Sequence, residues 1–292
     1  MTAPTIPPPK RDPHPPTRFT PPPDACDAHC HIFGPAHRFP FAPDRTYTPP
    51  DSGLDDFVAL QRRLGLSRAV FVQASCHGTD NRAMLDALER GQGRYAGVAM
   101  IDETHTDEDL WRMRRLGVQG VRFNFVRHLG GKPDPGRLRS LVDRIVPLEW
   151  HVELHFDATD LPTYADLFDT LPLPFIIDHM ARVRTTGGID QEPFRFLVQV
   201  MESNPRAWVK ISGADRLTAN GAPPYDDVIP FARALVEAAP ERILWGTDWP
   251  HPNVRHIPDD GDLVDTLADL VPDETTRDRI LVDNPTVLYD FT

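Results

Sequence analysis

Asp27-Ala28-His29-Cys30-His31 is the stretch of this sequence best equipped for chemistry. Successive side chains of a β-strand point to opposite faces, so His29 and His31 would project together while Cys30 turns away. Two imidazoles aimed at one point can polarise a carbonyl, move a proton or ligate a cation. A lone His-x-His is more often an ordinary pair of core or surface histidines, and what separates the readings is the rest of the chain. Polar residues of catalytic type recur along it: Ser75 and His77, then Arg122, Asn124, Arg127 and His128, then His155, His179, Arg182 and Arg216. The last group is Asp248 with His251 in Gly246-Thr247-Asp248-Trp249-Pro250-His251.

The elements that must position these residues alternate. Short apolar segments predict strands over Cys26 to Phe33, Ala69 to Ala74, Tyr95 to Ile101, Val118 to Phe125, His151 to Phe156, Pro174 to His179, Ala207 to Ile211 and Arg242 to Gly246. Amphipathic segments between them predict helices, for example Leu54 to Leu64, Asn81 to Arg90, Asp107 to Leu116, Arg137 to Val146, Phe194 to Glu202 and Val228 to Ala238. Eight strands with intervening helices predict a single-domain (β/α)₈ TIM barrel over residues 25–292. A doubly wound open sheet competes, but no Gly-x-Gly-x-x-Gly follows an early strand. In a barrel, active sites form at the C-terminal ends of the strands, and the polar candidates fall at that end of nearly every strand.

Composition narrows the partners. A formal net charge of -12 disfavours nonspecific binding to nucleic acid or an acidic membrane, so an anionic ligand must meet a local basic cluster. With only Lys10, Lys132 and Lys210 as lysines, arginine is the default base of this chain and no single Arg marks a site. Cys26, Cys30 and Cys76 form neither an even disulfide set nor a Cys-x-x-Cys pair, which predicts a reducing compartment, the cytoplasm by default. No apolar run suits a signal core or a membrane span. The first 23 residues hold ten of the 32 prolines and predict an arm, residues 1–24, either disordered or laid along the barrel exterior.

The strand-end motifs together resemble the amidohydrolase superfamily. Ala74-Ser75-Cys76-His77-Gly78-Thr79-Asp80-Asn81, Val121-Arg122-Phe123-Asn124-Phe125, His179-Met180-Ala181-Arg182 and Asp215-Arg216-Leu217 are similar, more narrowly, to its 2-pyrone-4,6-dicarboxylate lactonase family, from about Arg18 to Asn284-Pro285. The resemblance implies a hydrolase opening the ring ester of a carboxylated 2-pyrone or muconolactone in bacterial breakdown of lignin-derived aromatics. It implies Asp248 as general base, His29, His31 and His179 around the lactone carbonyl, and Tyr47, Ser75, Arg122, Arg182 and Arg216 on the substrate's carboxylates. The chemistry agrees: a carboxylate activates water, imidazoles stabilise an oxyanion, and arginine matches a carboxylate with paired donors. Arg127, His128, His155 and His251 complete the expected substrate contacts, with loop bracing an equal alternative for His251 and for His77.

Two positions depart from the lactonase pattern: His155 stands where that family has a Tyr, and His128, beside Arg127, replaces an expected Arg. His155 also completes a set, His29, His31, His155 and Asp248, that suits Zn²⁺ or Mn²⁺. Two catalytic versions follow, one needing no cofactor and one using a divalent metal. A metal-dependent lactonase or decarboxylase acting on a different anionic ring-cleavage product is the alternative function. A barrel that only binds would have little use for Asp248 beside converging histidines.

Overall fold

In the computed structural model, which describes residues 3–129, 133–254 and 256–291, eight strands form one parallel sheet in the order β1 to β8. They are β1 Cys26–Cys30, β2 Arg68–Val72, β3 Tyr95–Ala99, β4 Val118–Asn124, β5 His151–His155, β6 Phe175–Ile177, β7 Ala207–Lys210 and β8 Ile243–Leu244. The ends meet where Ala28 N–H donates to the Trp245 carbonyl and Asp248 N–H to the His29 carbonyl, both at 2.8 Å. Neighbouring strands are joined through helices packed outside, the architecture of a (β/α)₈ barrel. The principal ones are α1 Leu54–Leu64, α2 Arg82–Gly91, α3 Asp107–Arg115, α4 Pro135–Ile145, α5 Ala165–Thr170, α6 Glu192–Ser203, α7 Ala214–Leu217, α8 Ile229–Ala238 and α9 Asp260–Leu270.

Local sequence explains these elements. At α3, Thr106 Oγ1 accepts from Asp109 N–H while Asp109 accepts from Thr106 N–H, a reciprocal cap that satisfies two otherwise unpaired donors. α1 ends at Gly65, whose φ of 74° closes the helix at no side-chain cost. The strands are buried on both faces, as parallel barrel strands must be. A small cluster that includes Val70, Val72, Val98, Ile176, Trp208 and Leu244 is distinct from the larger core that holds Phe57, Phe71, Leu88 and Leu110 of the strand and helix layers.

All eight strands are shorter than the apolar pattern predicts, and β1, β6 and β8 are shorter by three residues each. β1 stops at Cys30 because His31 N–H turns to the Trp249 carbonyl at 2.7 Å. β6 stops at Ile177, since His179, Met180, Ala181 and Arg182 follow with φ of 49–53°, a left-handed turn that ends the extended backbone. β8 is reduced to Ile243–Leu244, and a Cβ on Gly246 would lie 2.4 Å from the His29 nitrogen, so the chain there presses directly on β1. Helices α5 and α9 lie where no amphipathic segment had been singled out.

The proline-rich segment lies along α9. Lys10 pairs with Asp259 at 2.5 Å, His14 reaches Asp262 at 3.0 Å, Thr17 bonds Asp265 through backbone and hydroxyl, and Arg18 pairs with Asp269. Farther upstream, Ile6 N–H donates to the Thr48 carbonyl and Thr48 N–H to the Pro4 carbonyl. Among the described residues, no helix is long and apolar enough to cross a membrane.

Candidate active site

The strand ends deliver their polar residues to one cavity at the C-terminal mouth. His31, Tyr47, Ser75, Arg122, His155, His179, Arg182, Arg216 and Asp248 line it, with Ala74, Leu129, Pro252 and Asn253. His29 lies fully buried beside that wall, its ring 4.4 Å from His179 and 5.1 Å from His31 between centroids. Arg127 is exposed and does not line the cavity. His251 is also off the wall, with Nε2 3.0 Å from the buried Asp260. The side chain of His128 lies outside the described residues.

Asp248 is the meeting point. Its Oδ1 is 3.0 Å from His31 Nε2 and 3.7 Å from His29 Nε2, while Oδ2 pairs with Arg216. A φ of 63° turns the residue off β8 so that its carboxylate faces these groups. Burial pushes its pKa up, but the Arg216 guanidinium, then His179 and His31, outweigh that and hold the group well below the usual carboxylate range. It is therefore an ionised carboxylate at neutral pH, the state a base needs. His31 Nδ1 has the Val72 carbonyl at 2.7 Å and must donate to it, so its contact with Asp248 requires a second ring proton or a cation between them.

His179 sits at the start of the left-handed turn, with Nδ1 2.8 Å from Ser212 Oγ. Burial above all pushes its pKa down to about 4, so at neutral pH it is an uncharged imidazole. His155 is likewise kept neutral, chiefly by burial and secondly by Arg122, and neither of its ring nitrogens has a protein partner. It offers the cavity one unspent donor and one unspent acceptor.

The arginines differ in kind. Arg122 is buried and already engaged, its Nε 3.0 Å and a terminal nitrogen 2.9 Å from Asp178. Arg182 is more open and bonds Asp157 through Nε at 2.8 Å. Arg216 holds Asp248.

Beneath this wall lies a network that strand and motif reading had not singled out. Lys210 at the end of β7 places Nζ 2.5 Å from Glu153 of β5, 3.0 Å from His29 Nδ1 and 3.5 Å from Asp178 after β6, and all four side chains are fully buried. Burial, then the neighbouring Asp178, pushes Glu153 up, to about 8, against the pull of Lys210 and Arg122. The signal was present in the sequence: Glu153 shares a strand face with His151 and His155, and Lys210 is one of three lysines in an arginine-rich chain.

His29, His31 and Asp248 each bring one ligand atom within 4.8 Å of the others, as do His29, Asp178 and His179, so a His/Asp grouping of the kind that can hold a cation is present. His155 belongs to neither group.

The amidohydrolase family profile matches residues 26–291. The chain belongs to that family. It is 45% identical over 280 residues to a 2-pyrone-4,6-dicarboxylate hydrolase of Comamonas testosteroni, covering 93% of this chain and 92% of that protein. It is 43% identical over 278 residues to a 4-sulfomuconolactone hydrolase of Hydrogenophaga intermedia, covering 94% and 91%. Among solved structures, a probable 2-pyrone-4,6-dicarboxylic acid hydrolase of Acinetobacter baumannii with citric acid bound superposes with a TM-score of 0.81 at 26% identity, over 92% of this chain and all of that one.

Proposed function

We propose that this amidohydrolase opens the lactone ring of 2-pyrone-4,6-dicarboxylate or a closely related carboxylated pyrone or muconolactone, a step in bacterial catabolism of aromatic compounds. The observation that carries the reading is the convergence of an ionised, buried Asp248 with His31 and His179 on a cavity also lined by Tyr47, Ser75, Arg122, Arg182 and Arg216. Two lactone hydrolases are above 40% identical to this chain over more than nine-tenths of its length, which supports the same class of reaction.

The chemistry follows from those groups. Arginines and the Tyr47 and Ser75 hydroxyls hold the substrate's carboxylates, which orients the ring ester toward Asp248. Asp248 takes a proton from water as its oxygen bonds to the carbonyl carbon, and imidazole N–H groups stabilise the oxyanion. The tetrahedral centre then collapses with cleavage of the ring C–O bond. For a 2-pyrone the departing oxygen is a conjugated enolate, a better leaving group than an alkoxide, and it ends by taking up a proton.

A resident divalent metal is the other route considered for this site. Catalytic zinc sites use three protein ligands. Of the expected set, His29, His31 and Asp248 come together while His155 is outside the group. The absence of His155 from that grouping supports the version that needs no cofactor, in which the imidazoles act on the carbonyl directly. Three buried cysteines, all unpaired, support the cytoplasm as its compartment.

The test is turnover of 2-pyrone-4,6-dicarboxylate and 4-sulfomuconolactone by purified protein before and after chelation, with product analysis. Hydrolysis at an unchanged rate is the expected result. Release of CO₂ would point instead to a decarboxylase, and activity lost on chelation and restored by Zn²⁺ or Mn²⁺ to a metal-dependent enzyme.

A further inference from the structure

His29 has no surface, and its two nitrogens face different worlds. Nε2 is buried without a hydrogen-bond partner and lies 3.7 Å from Asp248 Oδ1. Nδ1 is 3.0 Å from Lys210 Nζ. A lysine ammonium has three N–H donors and no acceptor, so a hydrogen bond between these atoms can run only from Lys210 to the Nδ1 lone pair. Lys210 Nζ lies between two acidic side chains, Glu153 at 2.5 Å and Asp178 at 3.5 Å. The rival acceptor for an Nδ1 proton is Asp178 Oδ1, which at 3.4 Å is the longer of the two contacts.

We propose that Lys210 is a positioning residue for the hydrolysis: its ammonium occupies Nδ1 of His29 and so fixes the ring proton on Nε2, facing Asp248 and the reacting carbonyl. The inference rests on the lactone-hydrolase reading for its catalytic consequence. The opposite tautomer would present a lone pair to the Asp248 carboxylate and would have nothing to donate to an oxyanion. Glu153 and Asp178 act through Lys210 in turn, and Arg122 clamps Asp178 from the other side, so four ionisable side chains from four successive strands and their ends serve one proton position.

Two measurements test this. In protein labelled with ¹⁵N-histidine, long-range ¹H–¹⁵N correlation reports the tautomer of each of the 12 histidines directly, with His29 assigned by its absence in His29→Asn. Wild type should show a protonated Nε2 and an unprotonated Nδ1. The second uses Lys210→Met combined with Glu153→Gln, which removes the ammonium together with the acidic side chain nearest to it. In that variant His29 should move its proton to Nδ1. Its kcat on 2-pyrone-4,6-dicarboxylate should fall about 10²-fold, the size of one lost oxyanion donor, with KM changed less than about threefold because the interaction exists only in the transition state. An Nδ1–H tautomer in wild type overturns the proposal even if the variant does not fold. So does a folded variant that keeps the Nε2–H tautomer or keeps kcat. The tautomer is read without substrate, so a wild-type protein inert toward every lactone would remove the functional reading while leaving the Lys210 assignment to stand on the spectrum.

Discussion

At the scale of single residues, the site divides into groups that react and groups that hold charge in place, and substitutions should separate them. Asp248→Asn keeps the shape but cannot take a proton, so hydrolysis should fall by at least the 10²–10⁴-fold that a general base typically supplies, with the circular dichroism spectrum unchanged. Near wild-type kcat in that variant would remove the base assignment. Arg182→Met should raise KM for a dicarboxylate roughly 10–100-fold, the worth of about 1.5–3 kcal/mol for a charge-assisted hydrogen bond, with little change in urea midpoint. Arg122→Met should behave differently, because it strands Asp178 in the interior; about 3–5 kcal/mol of stability should be lost, seen as an early urea transition. The pH response follows from the depressed pKa of Asp248. The active form is the carboxylate, so kcat/KM should hold on the acid side until pH falls below the ordinary carboxylate range, and Arg216→Met should move that limb to higher pH. The same depression is a stabilising contribution, present above the unfolded-state pKa and lost as pH falls through the folded one.

At the scale of elements, apolar runs were enough to place all eight strands, because buried parallel strands are β-branched and apolar whatever surrounds them. What they could not mark was where three of those strands end. His179 to Arg182 are ordinary residues in a left-handed turn, a conformation imposed by tertiary packing rather than by propensity, and β8 gives way early because its backbone presses on β1. Polar spacing points to groups that the structure brings together, His31, His179 and Asp248 just past strand ends and His29 near the end of β1. It did not give Lys210 or Glu153, whose significance is a matter of distance across the barrel and not of sequence spacing. Gly246 links this scale to function. Gly246→Ala would drive a methyl against the His29 backbone and part β8 from β1, so a loss of about 1–3 kcal/mol should come with a kcat drop near 10²-fold from misplacement of Asp248. A variant with native kcat would show that the two strands can separate without cost to the site.

At the scale of the whole molecule, the chain is tied together by its beginning. The arm crosses the acidic residues of α9, and its first described residues pair with the backbone at Thr48, next to Tyr47 of the cavity wall. Deleting residues 3–18 should therefore lower the unfolding free energy by about 2–4 kcal/mol, a few hydrogen bonds at roughly 0.5–1.5 kcal/mol each, and should raise KM as the Tyr47 segment loosens. Unchanged urea midpoint and KM would reduce the arm to a bystander. The arm also imposes an order on synthesis. Lys10 leaves the ribosome 249 residues ahead of its partner Asp259, and the His29 backbone likewise waits for Asp248, just past the last strand. Nascent chains thus carry an undocked, proline-rich arm and an unfinished site until residues 248–259 have been made.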